Sequence, residues 1–139
     1  MDDDDKSVSE LTEEEILQRM LSVDAAPERT VSLKRIGIPV TIKGLTGKQV
    51  FTIRERCTIT VKEKRGRSRE LDEEAFNGAL IAAATVKPNW GDPKLLAKFR
   101  ASSPEEVIKR LLLAGEIAQL GDLVLDLAEF NTELEEIKN

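Results

Sequence analysis

The chain has 139 residues, 40% hydrophobic and 34% charged, a length that predicts one domain able to bury its own core. It contains no histidine, no tyrosine and one cysteine. Those absences exclude histidine-dependent nucleophilic catalysis, histidine-ligated metals, a histidine pH switch, an internal disulfide and a cysteine-rich zinc site. No cofactor is expected. A single thiol fits a reducing, intracellular compartment. The longest unbroken hydrophobic run, Ala79 to Ala84, falls far short of the roughly 18 residues of a membrane span. The acidic N-terminus is unlike a signal peptide, so a soluble, non-secreted protein is expected.

The net charge of −5 conceals a strong segregation. Residues 1–15 carry eight acids against Lys6; residues 43–70 carry nine bases against three acids; residues 116–139 carry seven acids against one base. A basic middle therefore lies between acidic ends. Asp2-Asp3-Asp4-Asp5-Lys6 matches the enteropeptidase recognition sequence of cloning vectors, and is read either as a vector remnant or as a solvated acidic tip.

Thr12 and Glu15 form a capping-box pattern, and Ile16, Leu17, Met20 and Leu21 give an apolar stripe. A short helix is predicted from about Glu13 to Ser22. The linker Asp24 to Pro27 leaves its docking on the rest of the chain open. Residues 1–29 are read as an acidic N-terminal segment and residues 30–139 as the main domain.

Val31 and Leu33, then Val40 and Ile42, alternate with polar residues, the period of half-buried strands. Gly37 supplies a turn between them, and Pro39 places the second strand at an edge or at its own start. Thr46 caps a helix from Gly47 to about Cys57. Thr58 to Lys64 alternates again and reads as a third strand, while Lys64 to Ser68 reads as a turn or loose loop. Asp72 caps a helix with Leu71 stapled to Phe76. Phe76, Ala79, Leu80 and Ala83 are expected on its buried face, and Pro88 as its stop. Asp92-Pro93 starts a short helix to about Arg100. Ser103 caps another, with Glu106 completing a capping box. Gly115 is read as an interruption before a long last helix. There Leu120, Leu123, Leu127, Phe130, Leu134 and Ile137 are spaced 3, 4, 3, 4 and 3 apart, an a/d seam under three heptads long. The fold class is α+β, with a small antiparallel sheet of two or three strands in the N-terminal half and a mainly helical C-terminal half.

Few residues carry recognisable chemistry. Gly47-Lys48 invites a phosphate-loop reading, but Ile42 stands where the first glycine belongs and Gln49 where the metal-binding hydroxyl belongs. Cys57 sits near a helix C-terminus, the wrong end to activate a thiol, and reads as a small buried apolar residue. Glu73, Glu74, Glu105 and Glu106 fall in first helical turns, where the dipole favours acids. Trp90, between Pro88 and Pro93, reads as a core seal or as a partner anchor. Lys62 to Arg69 holds five bases, Lys62, Lys64, Arg65, Arg67 and Arg69, against one acid. It reads as a solvated hairpin tip, as a docking strip for an acidic protein, or as a nucleic-acid contact; the stacking aromatics of single-strand binders are missing.

Three stretches resemble extended text from one family. They are RIGIPVTIKGLTGKQVFTIRERC, FNGALIAAATVKPNWGDPKLL and SSPEEVIKRLLLAGEIAQLGDLVLDLAEF, spanning about residues 30–131. Together they resemble the XkdN-like tail assembly chaperones of phages and prophages. The resemblance implies a non-enzymatic protein that binds the tape-measure protein and helps the tail tube protein assemble around it. It implies residence in the cytoplasm of the bacterial host and absence from the mature virion. Self-association is compatible with the charge segregation. The contact residues expected are Leu127, Phe130, Leu134 and Ile137 on the last helix and Lys62, Lys64, Arg65, Arg67 and Arg69 on the basic hairpin. Two other readings stand beside it: a nucleic-acid-binding accessory protein using residues 62–69, and a structural tail or connector subunit.

Overall fold

Alternation on either side of Gly37 produces the first hairpin. Strand β1 (Glu28–Leu33) pairs antiparallel with β2 (Ile38–Lys43), with Val31 opposite Val40 and Leu33 opposite Ile38. Gly37 has φ +76, a left-handed conformation that suits glycine in the turn. The computed structural model of the chain describes residues 7–23, 26–128, 134, 136 and 137. These fall into two units: residues 26–132, and residues 1–25 with 133–139.

Within the larger unit, β2 is the middle strand of a three-stranded sheet in the order β1, β2, β5, where β5 is Thr85–Lys87. β2 is thus not an edge strand along its whole length, while Pro39, its second residue, lies near its start, the other place expected for it. The proline is tolerated because β5 pairs only with Thr41 and Ile42, so the strand is still an edge at Pro39. Val40 and Ile42 are fully buried, and the buried Thr41 shares a 2.8 Å hydroxyl hydrogen bond with Thr30 across the hairpin.

Helix α2 (Gly47–Arg56) begins with the expected cap. The Gln49 amide N–H donates to the Thr46 hydroxyl at 3.2 Å, and the Thr46 N–H donates to the Gln49 side-chain oxygen at 2.8 Å. Cys57 closes this helix and is buried. Strand β3 (Thr58–Glu63) follows, and β4 (Gly66–Leu71) returns antiparallel to it across Lys64-Arg65. The loose loop expected from residue 66 onward is therefore a strand. Its composition hides it, but every residue from 66 to 71 has a partner on β3.

Helix α3 (Glu73–Ala84) is capped by Asp72 and packs on β2, α2, α5 (Pro104–Leu111) and α6 (Ala114–Leu127). Its buried face is Phe76, Gly78, Ala79, Leu80, Ile81 and Ala84; Ala83 is exposed, contrary to expectation, because neighbours on several sides turn the buried face toward Ala84. The helix ends at Ala84, four residues before Pro88, since Thr85 to Lys87 joins the sheet. Trp90 is buried, and its indole N–H donates to the Thr85 hydroxyl at 3.0 Å. Helix α4 (Pro93–Phe99) ends at Arg100 in the left-handed region, and the Arg110 guanidinium donates to the Phe99 and Arg100 carbonyls.

At α5 the Ser103 hydroxyl caps as expected, but Glu106 accepts from the Ser102 N–H at 2.8 Å rather than from Ser103. That hydrogen bond, helped by Arg110, holds the Glu106 carboxyl below its ordinary pKa. Gly115 does not interrupt anything: it lies in the first turn of α6. The helix closes at Leu127 with Ala128 as its cap. Leu134 and Ile137 lie outside any helix, so the seam does not run on to them, and Phe130 lies outside the described residues. Ile42, Leu80, Ile81, Ile108, Val40, Val107 and Val124 form the fully buried centre. Each such burial stabilises by about 1.5–3 kcal/mol, which is what fixes sheet and helices together.

In the smaller unit, a 3₁₀ turn at Val8–Glu10 precedes α1 (Glu13–Leu21). The Thr12–Glu15 capping box forms as predicted. No described residue of α1 is buried, and Met20 and Leu21 are 64% and 67% exposed.

Candidate partner-binding surfaces

The five hairpin bases are sorted by the register of β3 and β4. Side chains alternate between strand faces, and Lys62 stands opposite Arg67 while Thr60 stands opposite Arg69. Lys62, Arg67 and Arg69 therefore share one face, and Lys64 and Arg65 form the exposed turn. The other face carries Ile59, Val61 and Ser68, with the Ser68 hydroxyl 2.9 Å from the Glu63 carboxylate. No residue of β3 or β4 is buried.

Only the base of this arm is tied down. The Asp72 N–H donates to the Cys57 carbonyl at 2.8 Å, the Thr58 hydroxyl to the Arg54 carbonyl at 2.8 Å, and Arg69 pairs with Glu55 at 3.3 Å. Lys62, Lys64, Arg65 and Arg67 make no ion pair among the described residues. Like charges placed directly across a strand pair destabilise it, so the Lys62–Arg67 pair opposes the arm's own folding.

The predicted C-terminal contact residues fall in different units: Leu127 in the larger, Leu134 and Ile137 in the smaller, with Phe130 outside the described residues. Leu127 is half-buried and packs on the core. Leu134 is 97% exposed and Ile137 is 49% exposed. Hence Leu127 belongs to the body, and Leu134 and Ile137 present apolar side chains to solvent.

Glu105 and Glu106, two of the four carboxylates weighed above, have structural partners, as does Glu116. Glu116 receives Arg35 at 2.8 Å and the Leu113 N–H at 2.7 Å, and both depress its pKa. Glu105 faces Arg56 at 3.7 Å. Among the described residues no cluster of Cys, Asp or Glu could hold a metal ion, and no helix is long and apolar enough to cross a membrane.

A groove of about 280 Å³ was not anticipated. It is lined by Leu45, Gly47, Val50, Phe51, Arg54 and Ala128. Gly47, Val50, Phe51 and Arg54 lie one helical stripe apart on α2. Its marker is structural: Phe51 is 64% exposed where a core aromatic would be covered. The Arg54 guanidinium lies 5.8 Å from the Phe76 ring centre, a cation–π arrangement that fixes it beside the groove.

An α+β body with a cationic hairpin arm and no assembled catalytic constellation among its described residues is the architecture of this chain. Comparison with known proteins gives the class. A profile described as phage XkdN-like tail assembly chaperone protein matches residues 11–139. The chain belongs to that family. The protein YqbN of Bacillus subtilis (strain 168) is 28% identical over 103 residues, covering 73% of this chain and 69% of YqbN. The phage-like element PBSX protein XkdN of the same organism is 26% identical over 113 residues, covering 80% of this chain and 76% of XkdN. A crystal structure of YqbN superposes with a TM-score of 0.56 at 21% identity, covering 78% of this chain and 89% of that one, a likeness of fold.

Proposed function

We propose that this chain is a non-enzymatic chaperone of phage or prophage tail assembly that binds the tape-measure protein and assists the tail tube protein in assembling around it. The observation that carries the reading is the family match along residues 11–139. The contact surfaces are the basic arm, with Lys62, Lys64, Arg65, Arg67 and Arg69, and the C-terminal residues Leu127, Phe130, Leu134 and Ile137. A holdase needs surfaces that cover apolar helices reversibly, and a charged arm together with exposed apolar side chains supports that reading. The protein works in the cytoplasm of the bacterial host and is left out of the finished particle. Residues 30–139 are its working domain.

The test is co-expression with the neighbouring tail proteins, with and without residues 131–139. Retention of soluble tape-measure protein by the full chain supports the reading, and its loss on truncation places the contact at the C-terminus. Finding the chain in purified particles would favour a structural subunit. The arm's cations that make no ion pair among the described residues favour one second reading, nucleic-acid binding. It predicts an affinity that falls steeply with salt and disappears when the five bases are neutralised.

A further inference from the structure

We infer that the α2 groove is a docking site for an acidic amphipathic helix of a partner protein, and the inference rests on the tail-assembly reading above. Its floor is apolar: Leu45, Val50, Phe51 and Ala128. Its volume of about 280 Å³ lies just under the range of small-molecule pockets, so it accepts one or two side chains rather than a whole ligand. Its long side is the 47, 50, 51, 54 stripe of a helix, the ridge against which a second helix packs. Among the described lining residues its charge is one-signed. Arg54 lines it and Lys48 flanks Gly47, and neither makes an ion pair among the described residues. A partner helix that seats a leucine or phenylalanine against Phe51 and sets carboxylates at Lys48 and Arg54 answers both features at once.

The probe is a labelled, helical peptide of about five turns, with leucines at i, i+3, i+4 and i+7 and glutamates flanking them. A second peptide carries lysine at each glutamate. Titrated into the full chain, the acidic peptide binds at least about tenfold more tightly than the basic one. Gly47→Phe is the plugging variant: a Cβ at Gly47, a lining residue, meets nothing within 4 Å, so the backbone accepts a side chain there. It lowers acidic-peptide affinity at least about tenfold with an unchanged thermal midpoint, and Lys48→Glu narrows the acidic preference. Equal binding of the two peptides, or wild-type binding by Gly47→Phe, overturns the proposal. So does self-association of the free chain that Gly47→Phe abolishes, which assigns the groove to a second copy. A gain in peptide affinity on Phe130→Ser also overturns it, by assigning the groove to the chain's own C-terminal residues. The tail-assembly reading is judged separately: tail proteins that co-purify equally with wild type and Gly47→Phe leave that reading intact and remove the groove from it.

Discussion

The two hairpins of this chain have the same length of strand and opposite circumstances. The β1–β2 pair is joined by β5 on one side and covered by α3 and α6. Two of its side chains, Val40 and Ile42, are fully buried. The β3–β4 pair has no fully buried residue, only Leu71 at its foot packs partly against the core, and it belongs to a separate two-stranded sheet. An isolated two-stranded hairpin is marginal in water. The first hairpin is held by its surroundings; the second is held by its ladder and by three ties at its base.

The contrast is broken most forcefully in the core. Leu80→Ala is expected to cost about 2–5 kcal/mol, whereas Ile59→Ala on the arm stays within about 0.5 kcal/mol. Urea unfolding of both variants measures this, and equal losses would mean that the arm shares the core.

Gly121→Ala tests the closest approach within the body. A Cβ there would lie 2.5 Å from the Asn77 side-chain oxygen, where α6 crosses α3. Overpacking costs about 1–3 kcal/mol, against a gain of about 1 kcal/mol in helix propensity. A net loss is expected in the wild type, and a gain in an Asn77→Ala background. A loss of equal size in both backgrounds would remove Asn77 as the cause.

Arg67→Glu converts the Lys62–Arg67 pair from like to opposite charges. It is expected to stabilise the arm by about 0.2–1 kcal/mol while weakening retention of an acidic partner. Amide exchange along residues 58–71 reads the first effect and co-purification reads the second. Reduced protection in the arm would contradict the like-charge account.

The smallest effect is a pH dependence. The Arg35 hydrogen bonds hold the Glu116 pKa below its ordinary value. A carboxylate depressed in the folded state contributes stability above its unfolded pKa, about 4.3, and loses it as pH falls through the lower folded value. Glu116→Gln should therefore lower the thermal midpoint at pH 7, and the gap to wild type should close on acidification. A gap that persists at pH 2 would assign the loss to packing instead.

Caps and alternation made much of this legible in sequence. Thr12, Thr46, Asp72 and Ser103 each start a helix where their chemistry indicates, because a cap is a local event. Strands β4 and β5 escaped for physical reasons. Gly-Arg-Ser-Arg-Glu-Leu shows no apolar alternation, since only its last residue, Leu71, touches the core, and Thr85-Val86-Lys87 is a strand only because β2 lies beside it. The heptad spacing continues past Leu127 to Leu134 and Ile137, but spacing cannot tell where packing ends. The basic cluster could be read from composition; its sorting onto one face needed the register. The α2 groove needed the exposure of Phe51.

Trp90 is the only tryptophan, and there is no tyrosine. Its indole is sealed against Thr85 within the body, while the arm carries no aromatic residue. The protein is thus optically partitioned. Near-ultraviolet emission follows the melting of the sheet and helices and is blind to the arm's own opening and closing. A partner gripping only the basic arm would leave that emission unshifted while still altering the amide signals of residues 58–71.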